Sequence, residues 1–196
     1  MRKFVIGMAL ASSALATPAL AREGSWYVDL NFGPMIVEDA TFKGLGAKLD
    51  SDYGYDGGAA VGYDFGAFRL ETEASYRSAD HDGFVSANRS FVPGGDASVL
   101  SFMLNGLLDF GPDNGLQGFV GGGAGVGRVS YQVGNLLDDS DSGFAWQVLA
   151  GVRAPITDHW DVGIKYRFFN ASNVDLVSAA GVPLSTRWRS HSAMGT

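Results

Sequence analysis

The stretch "WDVGIKYRFF" at residues 160–169 sets Trp160, Val162, Ile164, Tyr166 and Phe168 at every second position, with Asp161, Gly163, Lys165 and Arg167 between them and Phe169 as the one exception. Successive side chains of a strand point to opposite faces, so a period of two makes this a strand with one apolar and one charged face. An apolar face turned inward belongs to a water-soluble sheet. The same face turned outward needs a membrane to receive it.

The alternation recurs along the chain. Residues 26–37 set Trp26, Val28, Leu30, Phe32 and Ile36 against Asp29, Asn31 and Gly33, and residues 55–65 set Tyr55, Val61, Tyr63 and Phe65 against Asp56, Gly58, Gly62 and Asp64. Gly66-Ala67 is a two-residue turn signal, after which Phe68, Leu70, Thr72, Ala74 and Tyr76 oppose Arg69, Glu71, Glu73, Ser75 and Arg77. Residues 98–110 set Leu100, Phe102, Leu104, Leu108 and Phe110 against Ser101, Met103, Asn105 and Asp109. Residues 144–156 set Phe144, Trp146, Val148, Val152 and Ile156 against Gln147, Gly151 and Arg153. A segment at 118–131 is too rich in glycine for its phase to be read, and an eighth, from Arg187 to the chain end, is short.

Where the apolar residues fix the phase, every charged residue falls on the opposite face: Asp29, Asp56, Asp64, Arg69, Glu71, Glu73, Arg77, Asp109, Arg153, Asp161, Lys165 and Arg167. A soluble barrel or sandwich would segregate its residues in the same way. Two further patterns favour lipid. Connections alternate between long, at 38–54, 78–97, 132–143 and 170–186, and short, at 66–67, 111–117 and 157–159, as in outer-membrane barrels with brief periplasmic turns and extended outside loops. Aromatic residues gather near strand ends (Trp26, Phe65, Phe68, Tyr76, Phe110, Phe144, Trp146, Trp160 and Phe168), where interfacial girdles sit.

A sheet in hydrocarbon must close, because unpaired backbone groups there cost several kcal/mol each. The expected fold is therefore all-β: an eight-stranded antiparallel up-and-down transmembrane β-barrel, with the charged face filling a narrow lumen.

Composition narrows the class. Arg2 and Lys3 precede an apolar run from Phe4 to about Leu15, and Pro18 and Ala19-Leu20-Ala21 follow, so residues 1–21 read as a secretory signal peptide cleaved after Ala21. Residues 22–196 then form one barrel domain whose last strand is short or cut off at Thr196. Losing Arg2 and Lys3 takes the formal charge from −7 to −9, and an acidic exported chain argues against a nucleic-acid partner. The absence of cysteine excludes disulfides, thiol catalysis and thiolate metal sites. No stretch after the leader reaches the eighteen or so apolar residues of a membrane helix.

Several stretches resemble the small OmpA-like outer membrane β-barrel proteins of Gram-negative bacteria: "GSWYVDLNFG" (24–33), "VGYDFGAFRLETEASYR" (61–77), "SFMLNGLLDF" (101–110), "FAWQVLAGVRAPITDHWDVGIKYRFF" (144–169) and "RSHSAM" (189–194). The resemblance implies an outer-membrane location after export, both barrel ends in the periplasm, and roles from envelope integrity to adhesion. Outer membrane lipid and lipopolysaccharide, the barrel-assembly machinery and a surface ligand on the loops are its implied partners, with a monomeric barrel. Family barrels usually end strand eight on a terminal aromatic that assists assembly, whereas this chain reads "AMGT".

Candidate sites reduce to structure more readily than to chemistry. Glu71 and Glu73 share a face, as paired acid/base carboxylates would, but lumenal carboxylates need cations, and Arg69, Arg77, Arg153, Lys165 and Arg167 supply them. These seven residues are the expected lumenal ion network. "GGGAGVG" (121–127) fits neither the dinucleotide nor the phosphate-loop spacing. Asp138, Asp139 and Asp141 miss the calcium-loop pattern and read as a solvated acidic loop, and His81, His159 and His191 are scattered too widely for a local metal motif. "SHS" (190–192) suggests the Ser-His pair of barrel hydrolases such as the lipid A deacylases, yet Ala193 stands where that family's serine belongs. The expectation is a non-enzymatic structural or surface-interaction protein, with no catalytic set, cofactor or metal. A narrow porin-like channel and a lipid A-modifying enzyme are the alternatives.

Overall fold

The computed structural model describes residues 24–38, 52–81, 84–85, 91–92, 95–112, 115–133, 137–177 and 183–196; the leader expected at 1–21 lies outside them. Eight long strands carry the fold: β1 (Ser25–Val37), β2 (Asp52–Asp64), β3 (Phe68–His81), β4 (Gly95–Phe110), β5 (Gln117–Val133), β6 (Leu137–Pro155), β7 (Asp161–Val177) and β8 (Pro183–Gly195). Each pairs antiparallel with its chain neighbour, and β1 pairs with β8, so the sheet closes into an up-and-down barrel. A two-residue ladder, Phe84–Val85 with Phe91–Val92, stands apart between β3 and β4.

The phase read from alternation sets the walls. Along β1 the burial pattern alternates without a break, with Trp26, Val28, Leu30, Phe32 and Ile36 outward and Asn31, Gly33, Met35 and Val37 buried. Ile164, midway between Trp160 and Phe168 on β7, is 66 % exposed while its neighbours Lys165 and Arg167 are buried. Apolar residues thus face outward around the barrel, and the charged face is the interior. The short turns need tight geometry: Gly66, between β2 and β3, takes φ +98°, a region L side chains rarely adopt.

The glycine-rich segment now has a phase. Phe119 and Val129 on β5 are buried inside, while Val120 and Val126 face out. A Cβ at Gly123 would collide with the Asn105 side chain, and one at Gly121 with the backbone of Gly106 and Leu107. These positions leave room for the large inward side chains of β4.

Two expectations about length are corrected. The connections expected at 132–143 and 170–186 are largely strand, since the β5–β6 ladder runs to Val133↔Leu137 and the β7–β8 ladder to Val177↔Pro183. Asp138, Asp139 and Asp141 therefore lie on β6, not in a loop, and β8 spans 13 residues from Pro183. Backbone pairing needs no apolar face, so strands continue past the lipid band into water, where the alternation that marks them disappears.

Candidate functional site

The lumen holds a charge network built from six of the eight strands. Asp56 on β2 accepts from Arg77 Nε at 3.1 Å, from Arg167 Nη1 at 2.9 Å and from Ser192 Oγ at 2.7 Å. Arg167 reaches on to Glu73 Oε1 at 2.5 Å, so one guanidinium joins two carboxylates. Asn105 and Gln147 donate to Glu73 Oε2 at 3.0 and 3.3 Å, and the Ser75 and Ser101 hydroxyls accept from the Arg77 fork. Fixed planar forks suit this task, because each arginine satisfies several oxygens at once.

A second group lies nearer the short turns. Arg69 holds Asp109 through two bonds, at 2.6 and 2.8 Å, and stands 3.5 Å from Glu71. The Tyr27 hydroxyl donates to Glu71 Oε1 at 2.6 Å. Arg153 bridges Asp64 and Asp109 at 3.4 and 3.6 Å, and Lys165 pairs with Asp29. Of the seven residues expected in the lumen, Arg69, Glu71, Glu73, Arg77, Lys165 and Arg167 are buried and Arg153 is half-buried, but Lys165 pairs with neither glutamate, and Glu71 and Glu73 belong to separate groups. Asp56, Asp29, Tyr27, Asn31, Asn105, Gln147 and the serines were not singled out as site residues. They share the alternation phase of the seven, which is the signal that could have found them.

Toward the loop end the interior changes character. Met35, Val37, Ala79, Ala97, Val99, Met103, Val129, Ala145, Phe169, Ala171 and Trp188 form one buried apolar cluster. Phe169 covers the polar layer directly, with the Arg77 guanidinium 3.8 Å from its ring centre. Phe169, the exception in the opening alternation, is thus an inward residue in phase with Lys165 and Arg167. A smaller group of Leu107, Phe119 and Leu149 sits in the turn half.

The arrangement favours closure over chemistry. Asp56, Arg77 and Arg167 are 0 % exposed, so none of these side chains is open to solvent. Among the described residues no group of three or more His, Cys, Asp and Glu is placed to hold a metal ion. His81 ends β3, His159 lies in the β6–β7 turn, and His191 faces outward from β8, so the three never meet.

Comparison with known proteins agrees with this architecture. The crystal structure of neisserial surface protein A is 17 % identical, covers 86 % of this chain and 97 % of that one, and superposes with a TM-score of 0.54. That of the outer membrane protein OprG from Pseudomonas aeruginosa is 14 % identical, covers 88 % and 95 %, and gives 0.53. At these identities the likeness is one of fold. No curated protein matches the chain in sequence. Residues 7–187 match the family described as "Outer membrane protein beta-barrel domain"; the chain belongs to that family and is a transmembrane β-barrel of the Gram-negative outer membrane.

Proposed function

We propose that this protein is a non-enzymatic, non-conducting barrel that holds surface segments rigidly above the outer membrane, serving envelope integrity or surface interaction through them. Export by the leader at residues 1–21 would bring it to the periplasm. Its short turns remain there, and the loop end, with the segments 39–51 and 82–94, faces outside. The inaccessibility of Asp56, Arg77 and Arg167 carries the reading, because a conducting path would have to wet these side chains. The lumenal carboxylates are paired with arginine or lysine and have a structural role, supporting the walls instead of acting on a substrate.

Two measurements on the full chain test this. In a planar bilayer the purified protein gives no current steps above leak. Cells lacking the protein show changed envelope permeability or surface attachment, and the wild type restores it while a variant with 39–51 and 82–94 replaced by short Gly-Ser linkers restores permeability alone. Discrete channel steps from the wild type would replace this reading with the porin-like one.

A further inference from the structure

The outer face of β8 differs from the walls around it. Its outward positions are Arg187, Arg189, His191, Ala193 and Gly195, whereas β7 beside it presents Val162, Ile164, Tyr166 and Phe168, and β1 on the other side Trp26 through Ile36. The register fixes the height of the basic residues. His191 pairs with Ile36 and Phe168, the last apolar outward residues of β1 and β7 among those whose side chains are described, and Arg189 pairs with Asn170, which is itself level with Trp146. The basic face therefore begins where the apolar band ends, at the depth of lipid headgroups.

These side chains are held in place. Glu38 accepts from His191 Nε2 at 2.9 Å, and the Tyr166 hydroxyl is 2.7 Å from Nδ1 on the other side of the ring. Arg189 spans Glu38 at 3.4 Å and Asn170 Oδ1 at 3.3 Å, and the Asn170 amide in turn donates to Ser172 Oγ at 2.8 Å. Arg187 is exposed and has no ion pair or hydrogen bond among the described residues. It stands at a register shift, where β7 advances from Ala171 to Val174 while β8 advances only from Trp188 to Thr186. Such a bulge re-aims the side chains beside it. Below and beside the arginines lies an apolar flank, with the His191, Phe168 and Trp146 rings in series at centroid distances of 5.0 and 5.4 Å.

We propose that this face of β8, with Arg187 and Arg189 as anion ligands and Phe168 and Trp146 below and beside them, binds the phosphorylated headgroup of an outer-leaflet glycolipid of the lipid A class. Alternate residues of a strand stand about 6–7 Å apart, within reach of one phosphate for two long guanidinium side chains. Glu38 takes up part of the positive charge, and among the residues whose side chains are described two arginines then face one carboxylate on this patch. A free phosphate would have no use for the aromatic flank. A lipid satisfies both parts, with its headgroup on the arginines and an acyl chain along Phe168 and Ile36. The proposal rests on the orientation given above, with the loop end outside.

Native mass spectrometry on the folded full chain tests it, with bisphosphorylated lipid A, its dephosphorylated form, phosphatidylglycerol and inorganic phosphate as probes. One bisphosphorylated lipid A is expected to be retained. Arg187→Gln weakens it severalfold, and Arg187→Gln with Arg189→Gln by about tenfold or more, which corresponds to about 1.4 kcal/mol. Arg128→Gln, at an outward arginine of β5 on another wall, leaves binding unchanged. Arg187→Gln breaks no hydrogen bond or ion pair among the described residues, so it decides the matter even if the double variant folds poorly. Retention by the double variant at wild-type strength, equal binding of the dephosphorylated form, or release by inorganic phosphate overturns the proposal. Equal binding of phosphatidylglycerol overturns it too. Protease access from outside intact cells checks the orientation separately, and channel steps would refute the closed-lumen reading without touching this one.

Discussion

In the middle of the barrel, Asp56, Glu73, Arg77 and Arg167 fill the lumen with charge; one layer toward the loop end, Met35, Val99, Val129, Phe169 and Trp188 fill the same cross-section with hydrocarbon. Both layers exclude water, by different physics. A buried charge is tolerable only with its partner in hydrogen-bond contact, so the polar layer depends on identity and pairing. The apolar layer depends on volume, because any side chain of the right size removes the same surface from water. The polar layer should therefore fail abruptly when one member is removed, and the apolar layer gradually.

The largest effect tests the abrupt side. Arg167→Ala leaves Glu73 and part of Asp56 without a cation and should cost about 3–5 kcal/mol. Urea unfolding in detergent reads this, and Arg167→Met combined with Glu73→Gln should cost less than the two single losses added. Simple additivity would mean that the charges are solvated separately, and the contrast between layers would collapse.

Next in size is a change on the lipid face, which separates lumenal from membrane energetics. Ile164→Arg should destabilise the folded barrel in a bilayer by about 2–4 kcal/mol, since Ile164 stands midway between Trp160 and Phe168. A variant that folds and stays soluble without detergent would point to an aqueous barrel.

A milder change probes the gradual side. Phe169→Leu keeps most of the volume of the apolar layer and should cost about 1 kcal/mol with no conductance gained. A loss as large as that of Arg167→Ala would show that the ring serves Arg77 through its face more than it fills space.

The smallest effect lies outside the lumen. Glu38 is more than a third exposed, and the hydrogen bond from His191, with Arg189 behind it, holds its carboxyl below the ordinary carboxylate range. A lowered folded value means that this contribution is whole above the unfolded carboxylate value, about 4.3, and is lost as the pH falls through the folded one. The stability gap between wild type and Glu38→Gln should thus be small at pH 7 and vanish in acid. A gap that widens in acid would reverse the assignment.

The sequence carried the phase of the strands from the start. Alternation around Ile164, Leu70 and Leu104 separates the two faces without knowledge of what pairs with what, because the period of two is a property of each strand alone. Of the charges that rule sets on one face, Arg69, Glu71, Glu73, Arg77, Lys165 and Arg167 are buried and Arg153 is half-buried. Glycine hides the same signal in β5, since Gly121, Gly123 and Gly125 have no side chain to report a face. Toward the loop end, at 137–142 and 183–186, the alternation lapses in the sequence although the pairing continues.

By itself, then, the sequence determined that this chain forms amphipathic strands with charges on one face, and that closure would turn that face inward. Which charges meet was decided only by the tertiary structure. Lys165 and Glu71 sit at similar distances from their turns, yet Lys165 takes Asp29 while Glu71 takes Tyr27 and Arg69. Strand tilt and stagger set which walls face each other across a narrow barrel, and these are properties of the closed ring that no single strand records. For the same reason the apolar layer, assembled from one to three residues of each of seven strands, becomes a layer only when the ring closes.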